Sequence, residues 1–552
     1  MLSDDGDYQG RLGEIRQEEY PQLEGHVYLD YTGAPPIPKS LVREYADFLT
    51  TETIQGNPHS GNTQAQRVRA GVNEARRMVL EHLEADPIHY TCIFTSGATA
   101  ALKLVGESFP WEGESSKFWY LQDNHTSVLG LRELARVKGV HIQCVSEEDI
   151  VNGLCKPFSE EGEKKVGVSS PSLLAYPAQS NYNGQRYPLF WGERKPRNWR
   201  VLLDTAAYAA TSTLSLRQYP VDFCVLSFYK IFGFPTGVGA LIARTEALQE
   251  LRRPYFGGGT VDAILASGSF SRLKRENIHE GFEDGTINFH AILALPLAFS
   301  VFRRLYGSFE RIAHHTQQLI LATYHGLSEL RHECGAPLVQ FLMSHPETSI
   351  GDPKLHGPIL TFLLLRPAGE YVGYAEVAKV AALEGISLRT GSFCNPGASQ
   401  TWLGLTDQAL REQFEAGHIC GDDKDLIKGH PTGAIRASLG ASSSMDDVNR
   451  LIGFLIRYFL NPRSLCAPEN PLSVTLTREE PQLPEGRISK LILYPIKSCG
   501  GYIVPEGVNW RMKESGLEWD REWMLKSVDT GRALDQKRYV LEIHDHIGTW
   551  YA

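Results

Sequence analysis

Between about Thr91 and Arg244, short apolar runs alternate with helical patterns, and that alternation leaves few folds open. Thr91–Phe94, Phe118–Leu121, Ile142–Val145, Leu173–Tyr176, Val201–Leu203, Phe223–Leu226 and Gly239–Ile242 have the length and composition of strands. Helical segments such as Ser127–Val137 lie between several of them. Strands separated by helices pair in parallel through crossovers, so the expected fold is α/β: a mainly parallel sheet covered on both faces. Ligands of such sheets bind beyond the carboxyl ends of the strands, which makes the residue just after each strand the one to read for chemistry. Helical patterns dominate from Ile292 to Leu330. A smaller α+β region follows, with strand Pro358–Leu365, helix Tyr374–Glu384, strands Ile386–Leu388 and Ala434–Ser438, and a last helix from Ser444 to Leu460. The proline- and acid-rich stretch Asn461–Glu485 reads as linker. Beyond it, Ile488–Tyr494 and Trp523–Val528 read as strands of a further module. The expected division is a domain of residues 1–465, with a large subdomain at 55–300 and a small one from 1–54 and 301–465. A linker at 466–485 and a partial β-barrel at 486–552, read as truncated, complete it.

Composition narrows the function classes. A formal net charge of −10 gives no general attraction to nucleic acid or to an anionic membrane. The acidic start MLSDDGDYQG lacks the apolar core of a signal peptide. The longest apolar run, Ile292–Phe302, is shorter than a membrane span and reads as a buried helix. Nine cysteines are scattered without paired or CxxC spacing, which argues against a disulfide scaffold or a metal site and fits a reducing cytosol. The expectation is a soluble, cytoplasmic protein.

Three strand ends carry a second pattern. Phe94-Thr-Ser-Gly-Ala-Thr99 leaves a strand and opens a helix with small residues, so backbone N–H groups can approach a phosphate. Alone, this is equally a plain strand–turn–helix connection. Asp204 ends the strand VLLD and Lys230 follows the next strand in SFYK. Singly they are a helix-capping aspartate and a surface lysine. Together, in order and after a phosphate turn, they suit pyridoxal phosphate: the aspartate keeps the pyridine nitrogen protonated and the lysine forms the Schiff base. Near the end of the small region, Arg389-Thr-Gly-Ser-Phe-Cys394-Asn-Pro-Gly runs from a strand into a glycine- and proline-rich segment. That reads as a mobile, accessible loop presenting a reactive thiol, with Arg389 placed to favour the thiolate; a buried structural cysteine is the alternative. Arg436, in the strand AIRASL, has the fork that grips a carboxylate through two parallel hydrogen bonds, or else forms a surface ion pair.

TSGAT, NHTS, LLDTAAY and SFYKIFGFPTGVG, in this order and spacing across roughly Val27 to Leu460, resemble the class V aminotransferases and particularly the cysteine desulfurases. The resemblance implies a type I pyridoxal-phosphate transferase fold with a seven-stranded sheet and a smaller α+β C-terminal subdomain. Carried over by position, Ala98, Thr99 and Ser227 meet the phosphate. His125 stacks on the ring, Asn181 touches its hydroxyl, Asp204 pairs with its nitrogen and Lys230 binds it covalently. Tyr229 stands where a histidine is frequent and can still donate to phosphate. Ala207 stands where a glutamine is frequent. Thr260 in GGGT resembles a threonine that reaches a phosphate in a second subunit, which implies a homodimer. Asn181 in QSNYNG is also an ordinary turn residue, and His125 an ordinary loop histidine.

RTGSFCNPGA, GNPHS (Gly56–Ser60) and YPAQSN are similar to the molybdenum cofactor sulfurases within this family. The pattern RTGCFCNPGAC is departed from at Ser392 and Ser399, so Cys394 has no neighbouring thiol. RISKLILYPIKSCGG and GLEWDREWMLKSVDTGRALDQKR look like the N-terminal barrel of the MOSC module. The resemblance implies L-cysteine as sulfur donor, alanine as product, a persulfide on Cys394 and the molybdenum cofactor as sulfur acceptor. It further implies molybdoenzymes of the xanthine dehydrogenase or aldehyde oxidase type as recipients, without identifying which one. A desulfurase serving iron–sulfur clusters or tRNA would use the same site, and a selenocysteine lyase would tolerate loss of Cys394. A catalytically silent scaffold would need none of Asp204, Lys230, Cys394 and Arg436.

Overall fold

The computed structural model describes residues 8–51, 54–155, 170–419 and 421–460, and the short strands at 491–493, 502–504, 512–513 and 516–517. The chain divides into two compact units, Met1–Leu465 and Cys466–Ala552.

The first unit is built on a seven-stranded sheet. Its spatial order is Tyr90–Thr95, Gly239–Arg244, Phe223–Ser227, Trp199–Asp204, Ser172–Pro177, Lys117–Leu121 and His141–Val145. Gly239–Arg244 runs antiparallel to both neighbours and the remaining pairs are parallel. All seven strands read from the sequence are present. Alternate residues feed two separate cores, as the two-residue period of a strand requires. Phe94, Leu174, Val201, Leu203, Cys224 and Ile242 pack on one side with the helices Thr63–His82 and Phe289–Tyr306. Ile93, Leu173, Leu202, Phe223, Val225 and Leu241 pack on the other with the helix Ala98–Ser108. The apolar run Ile292–Phe302 lies inside Phe289–Tyr306, a helix apolar enough to cross a membrane by composition, but Ile292, Leu295, Phe299 and Phe302 are buried in this core.

A second, antiparallel sheet follows, in the order Val339–Phe341, Ile359–Leu365, Ala434–Ser438 and Arg389–Gly391, with Tyr371–Val372 beside Ile359–Leu365. Leu360, Phe362, Leu364, Ile435 and Ala437 share a core with residues of the helices Phe309–Ser328, Tyr374–Leu383 and Met445–Leu455. Three local expectations are corrected. The helix expected over Ser127–Val137 is two pieces, Thr126–Leu129 and Leu131–Val137, broken at Gly130. The single strand expected at Ile386–Leu388 is two: Ile386–Ser387 pairs in parallel with Val27–Tyr28, while Arg389–Gly391 pairs with Ala434–Ser438. The helix expected to Leu460 keeps α geometry only over Met445–Leu455, with Ser444 and Asp447 forming a capping box, and widens to a π-turn over Ile456–Leu460.

In the second unit, Leu491–Leu493 pairs with Tyr502–Val504 and Met512–Lys513 with Gly516–Leu517, both antiparallel. The linker at 466–485 and the expected strand Trp523–Val528 lie outside the described residues.

Candidate functional site

The carboxyl ends of the sheet gather the first half of the site. The turn after Tyr90–Thr95 has Gly97 at φ +152°, a conformation that side chains rarely adopt, and the helix Ala98–Ser108 starts from it. The neighbouring strand starts at Gly239, where a Cβ would lie 2.5 Å from the Gly97 Cα, so only glycine lets the two backbones meet. The Ala98 N–H donates to Ser227 Oγ at 2.9 Å, and the Thr99 hydroxyl lies 2.8 Å from that of Ser127. A helix N-terminus, a serine and a threonine therefore converge where the sequence places a phosphate.

Lys230 is half-buried and sits in the short helix Phe228–Phe232 that follows the strand Phe223–Ser227. Burial pushes its amine below the ordinary lysine value; Asp204, Cys394 and Asp30 oppose that shift and Arg436 adds to it. Among the described residues the amine has no hydrogen bond or ion pair. One oxygen of Asp204 accepts the Ala206 N–H at 2.9 Å, and the other has no partner among the described residues. His125 is also kept below its ordinary value by burial, with Asp204 opposing and Lys230 reinforcing. Its Nδ1 accepts from the Ser127 N–H at 3.1 Å, so a neutral ring carries its proton on Nε2. An unpaired half-buried amine, an aspartate with a free oxygen, a neutral imidazole and a helix N-terminus flanked by hydroxyls fit a pyridine aldehyde phosphate. Tyr229 is half-buried beside Arg389, and burial raises its phenol. At the departure Ala207, the backbone carbonyl accepts from Gln179 Nε2 at 3.2 Å, and that glutamine lines with Lys230 and Ala207 the cleft behind the lysine.

The second half comes from the small sheet. Arg389 and Arg436 are register partners on adjacent strands. Arg436 is buried; it donates through Nη1 to the Asn181 carbonyl at 2.7 Å and through Nη2 to Asp30 Oδ1 at 2.8 Å. Arg389 is exposed, and its ion pair is the longer 4.0 Å approach to the other oxygen of Asp30.

The expectation of a mobile loop at Cys394 is corrected. Cys394 is half-buried in a tight turn, and the helix Pro396–Trp402 begins two residues later, capped by Asn395 and with proline in its first turn. Phe393 and Cys394 both have left-handed φ, +54° and +55°, a conformation costing about 1–2 kcal/mol per residue for L side chains. Such strain persists only where the surroundings over-determine it. Here Asn181 Nδ2 donates to the Phe393 carbonyl at 2.7 Å and the Thr126 N–H to the Cys394 carbonyl at 2.8 Å. The Arg436 guanidinium lies 4.9 Å from the centre of the Phe393 ring. Asn395 donates to Asp123 Oδ1 at 2.6 Å and to Asn181 Oδ1 at 2.9 Å. Asn181, expected at a ring hydroxyl, thus spends both ends of its amide on this turn.

Asp123, unassigned from the sequence, is fully buried and also accepts from Ser180 at 3.0 Å and Tyr187 at 2.8 Å. Burial raises its carboxyl while these three donors lower it. Asp30 was missed as well. Both aspartates lie two residues beyond a strand, Asp123 after Lys117–Leu121 and Asp30 after Val27–Tyr28, and the first of these strands was legible in the sequence. The departures Ser392 and Ser399 face each other, hydroxyl to hydroxyl, at 3.3 Å. Thr260 is fully buried and its hydroxyl donates to the Gly257 carbonyl of its own loop at 2.7 Å. No cluster of three or more metal-ligating side chains occurs among the described residues.

The chain matches the family described as Aminotransferase class-V over residues 27–451 and the MOSC N-terminal beta barrel domain over residues 485–540. It is 37% identical to the molybdenum cofactor sulfurase of Bos taurus, over 96% of this chain and 68% of that one. To the protein of the same name from Homo sapiens it is 37% identical, over 96% and 67%; to that of Neurospora crassa it is 40% identical, over 96% and 57%. The chain thus spans roughly three-fifths to two-thirds of the length of these relatives. Among solved structures, the apo cysteine desulfurase of Thermococcus onnurineus superposes with a TM-score of 0.62 at 20% identity, covering 80% of this chain and 96% of that one. A cysteine desulfurase of Escherichia coli superposes with a TM-score of 0.60 at 19% identity, covering 80% and 97%.

Proposed function

The chain belongs to the class V aminotransferases and, within them, to the molybdenum cofactor sulfurases, and from that premise we propose that it moves sulfur from L-cysteine to the molybdenum cofactor with pyridoxal phosphate on Lys230. One observation carries the reading. Asp204, Arg436, Cys394 and Asp30, groups drawn from across some 400 residues of sequence, all act electrostatically on the Lys230 amine. On this reading the ring-nitrogen partner, the nucleophile and the carboxylate grip all lie close enough to the anchoring lysine to influence its charge.

Pyridoxal phosphate, when bound, supplies a protonated ring that withdraws electrons from the substrate's α-carbon. Ala98, Thr99 and Ser227 would hold its phosphate, and Asp204 would keep its ring nitrogen protonated. Arg436 binds the α-carboxylate of cysteine. Lys230, kept neutral more readily by burial, takes the α-proton. Cys394 as thiolate attacks the substrate sulfur: an S–S bond forms, the carbon–sulfur bond breaks, and the carbon fragment keeps that electron pair and is protonated. The balance is L-cysteine plus enzyme thiol giving L-alanine plus enzyme persulfide. Replacing a molybdenum oxo group by sulfido then reduces the outer persulfide sulfur by two electrons and releases water. With serines at 392 and 399, two external thiols, oxidised to a disulfide, supply those electrons.

The test is peptide mass spectrometry of the cofactor-loaded protein after L-cysteine without reductant. A persulfide on Cys394, absent from Cys394→Ala and Lys230→Ala, is expected; bound cofactor without persulfide defeats the mechanism. Homodimerisation is part of the proposal. The exposed apolar side chains Tyr255, Phe256, Ile264, Leu265 and Phe270 flank the Gly257–Thr260 loop and support it. A monomeric mass with full activity would overturn it. Cytosolic action, with molybdoenzymes as final recipients, completes the proposal; the cysteines of the described residues are all free, which supports a reducing compartment.

A further inference from the structure

Arg436 is 4% exposed and, among the described residues, makes two hydrogen bonds, to the Asn181 carbonyl and to Asp30. Its Nε is buried with no partner. Unpaired buried donors on a guanidinium are costly, and a carboxylate ligand is the group that satisfies them. The Phe393 ring lies 4.9 Å from the guanidinium carbon, leaving the fork few directions in which to receive a ligand.

What holds that fork is the segment Leu29-Asp-Tyr-Thr-Gly33 near the start of the chain. Asp30 bridges in parallel to Ser438, two residues beyond Arg436 on the same strand. The Thr32 N–H donates to Ser438 Oγ at 3.0 Å, and the Gly33 N–H closes a turn onto the Asp30 carbonyl at 3.0 Å. A Cβ on Gly33 would lie 2.5 Å from Asp30 Oδ2, so the carboxylate is packed against a residue that must be small. The carboxylate lies between two arginines, at 2.8 Å from Arg436 and 4.0 Å from Arg389. Two guanidinium charges against one carboxylate leave a unit of positive charge for an incoming anion.

We propose that Asp30 is the positioning residue that fixes the Arg436 guanidinium for the α-carboxylate of the substrate, and so sets a preference for α-amino acids over the corresponding amines. The inference rests on Arg436 being the carboxylate grip. Asp30 touches neither the reacting sulfur nor the α-carbon; it acts through the angle at which Arg436 presents its unpaired donors.

The test uses the full chain loaded with pyridoxal phosphate. The cofactor's visible band is titrated with L-alanine, which has the carboxylate and no thiol, and with ethylamine, which lacks both. Asp30→Ala is expected to raise the Kd for L-alanine about tenfold, the value of one charge-assisted hydrogen bond, while the Kd for ethylamine stays within about twofold. With L-cysteine the loss falls on KM more than on kcat. Because removing one partner of a buried ion pair can unfold a protein, Gly33→Ala serves as a second variant. Its methyl displaces the carboxylate without deleting it, and the same selective weakening of L-alanine is expected. If Arg436→Gln loses discrimination between the two ligands but both other variants keep it, Asp30 is not the positioning residue. If Arg436→Gln itself keeps it, the assignment of Arg436 falls and this inference falls with it.

Discussion

The two halves of the site are built on opposite principles. The cofactor half uses residues at the ends of strands of one mainly parallel sheet, held mainly by backbone geometry: a glycine at positive φ, a helix N-terminus, the Ala98 N–H on Ser227. The sulfur half is held by side chains reaching across the chain. Asp123 binds Asn395 over 272 residues, Asn181 binds Phe393 over 212, and Asp30 binds Arg436 over 406. The cofactor cradle forms where strand ends of one sheet meet, its Ala98–Ser227 contact spanning 129 residues, and it places a phosphate through backbone geometry. A nucleophile that approaches from a separate sheet needs long-range ties, and the strained turn at Cys394 shows what they must hold.

If that contrast is right, the halves fail separately. Lys230→Ala is expected to lower sulfur transfer by 10²-fold to 10⁴-fold or more, and to abolish a cofactor band that survives gel filtration. Cys394→Ala loses the persulfide equally but retains the band; a Cys394→Ala protein that cannot hold cofactor would break the comparison. Asp123→Asn comes next. It replaces one carboxylate oxygen by an amide donor, so an acceptor of three hydrogen bonds becomes a group that can no longer accept all three. Persulfide formation should slow by roughly 10² for a displacement near 1 Å, measured by stopped-flow with mass detection, with cofactor affinity little changed. Ser227→Ala tests the other half: removing the acceptor of Ala98 weakens cofactor binding about threefold to tenfold in equilibrium titration, and the saturated protein still forms persulfide.

Two pH effects sharpen the picture. The neutral Lys230 amine is the nucleophile that captures cofactor, and burial lowers its pKa, so the rising limb of capture rate against pH should lie below the ordinary lysine value of about 10.4. A limb at or above it would show that the lysine is solvated. The second concerns His356, which is fully buried, bonded at 2.9 Å to the Asn183 carbonyl in the turn carrying Asn181, and lowered to about 4 by burial. Its folded pKa is below its unfolded value near 6.5. The unfolded chain therefore binds the proton first, and stability is lost as pH falls from about 6.5 towards 4. At pH 5 the loss is about 2 kcal/mol, readable as a drop in denaturation midpoint that His356→Gln removes.

Sequence alone determined the seven strands, their mainly parallel sense, and the places of Lys230, Asp204 and Cys394. Strand periodicity and the chemistry at a strand end are properties of neighbouring residues, so they survive without coordinates. The reversed direction of Gly239–Arg244 was not legible, because pairing sense depends on where the chain returns. Nor was the character of the Cys394 segment. Gly, Pro and Ser around a cysteine describe a loose loop as well as a tight one, and only Asp123, Asn181 and Thr126, brought in by the fold, decide between them. Asp30 makes the same point. Nothing in YLDYTG indicates an arginine 406 positions away, since the contact exists only once the first strand and the fold's last sheet are laid side by side. Tertiary structure decided the partners because hydrogen bonds and ion pairs depend on distance in space, which the order of residues does not contain.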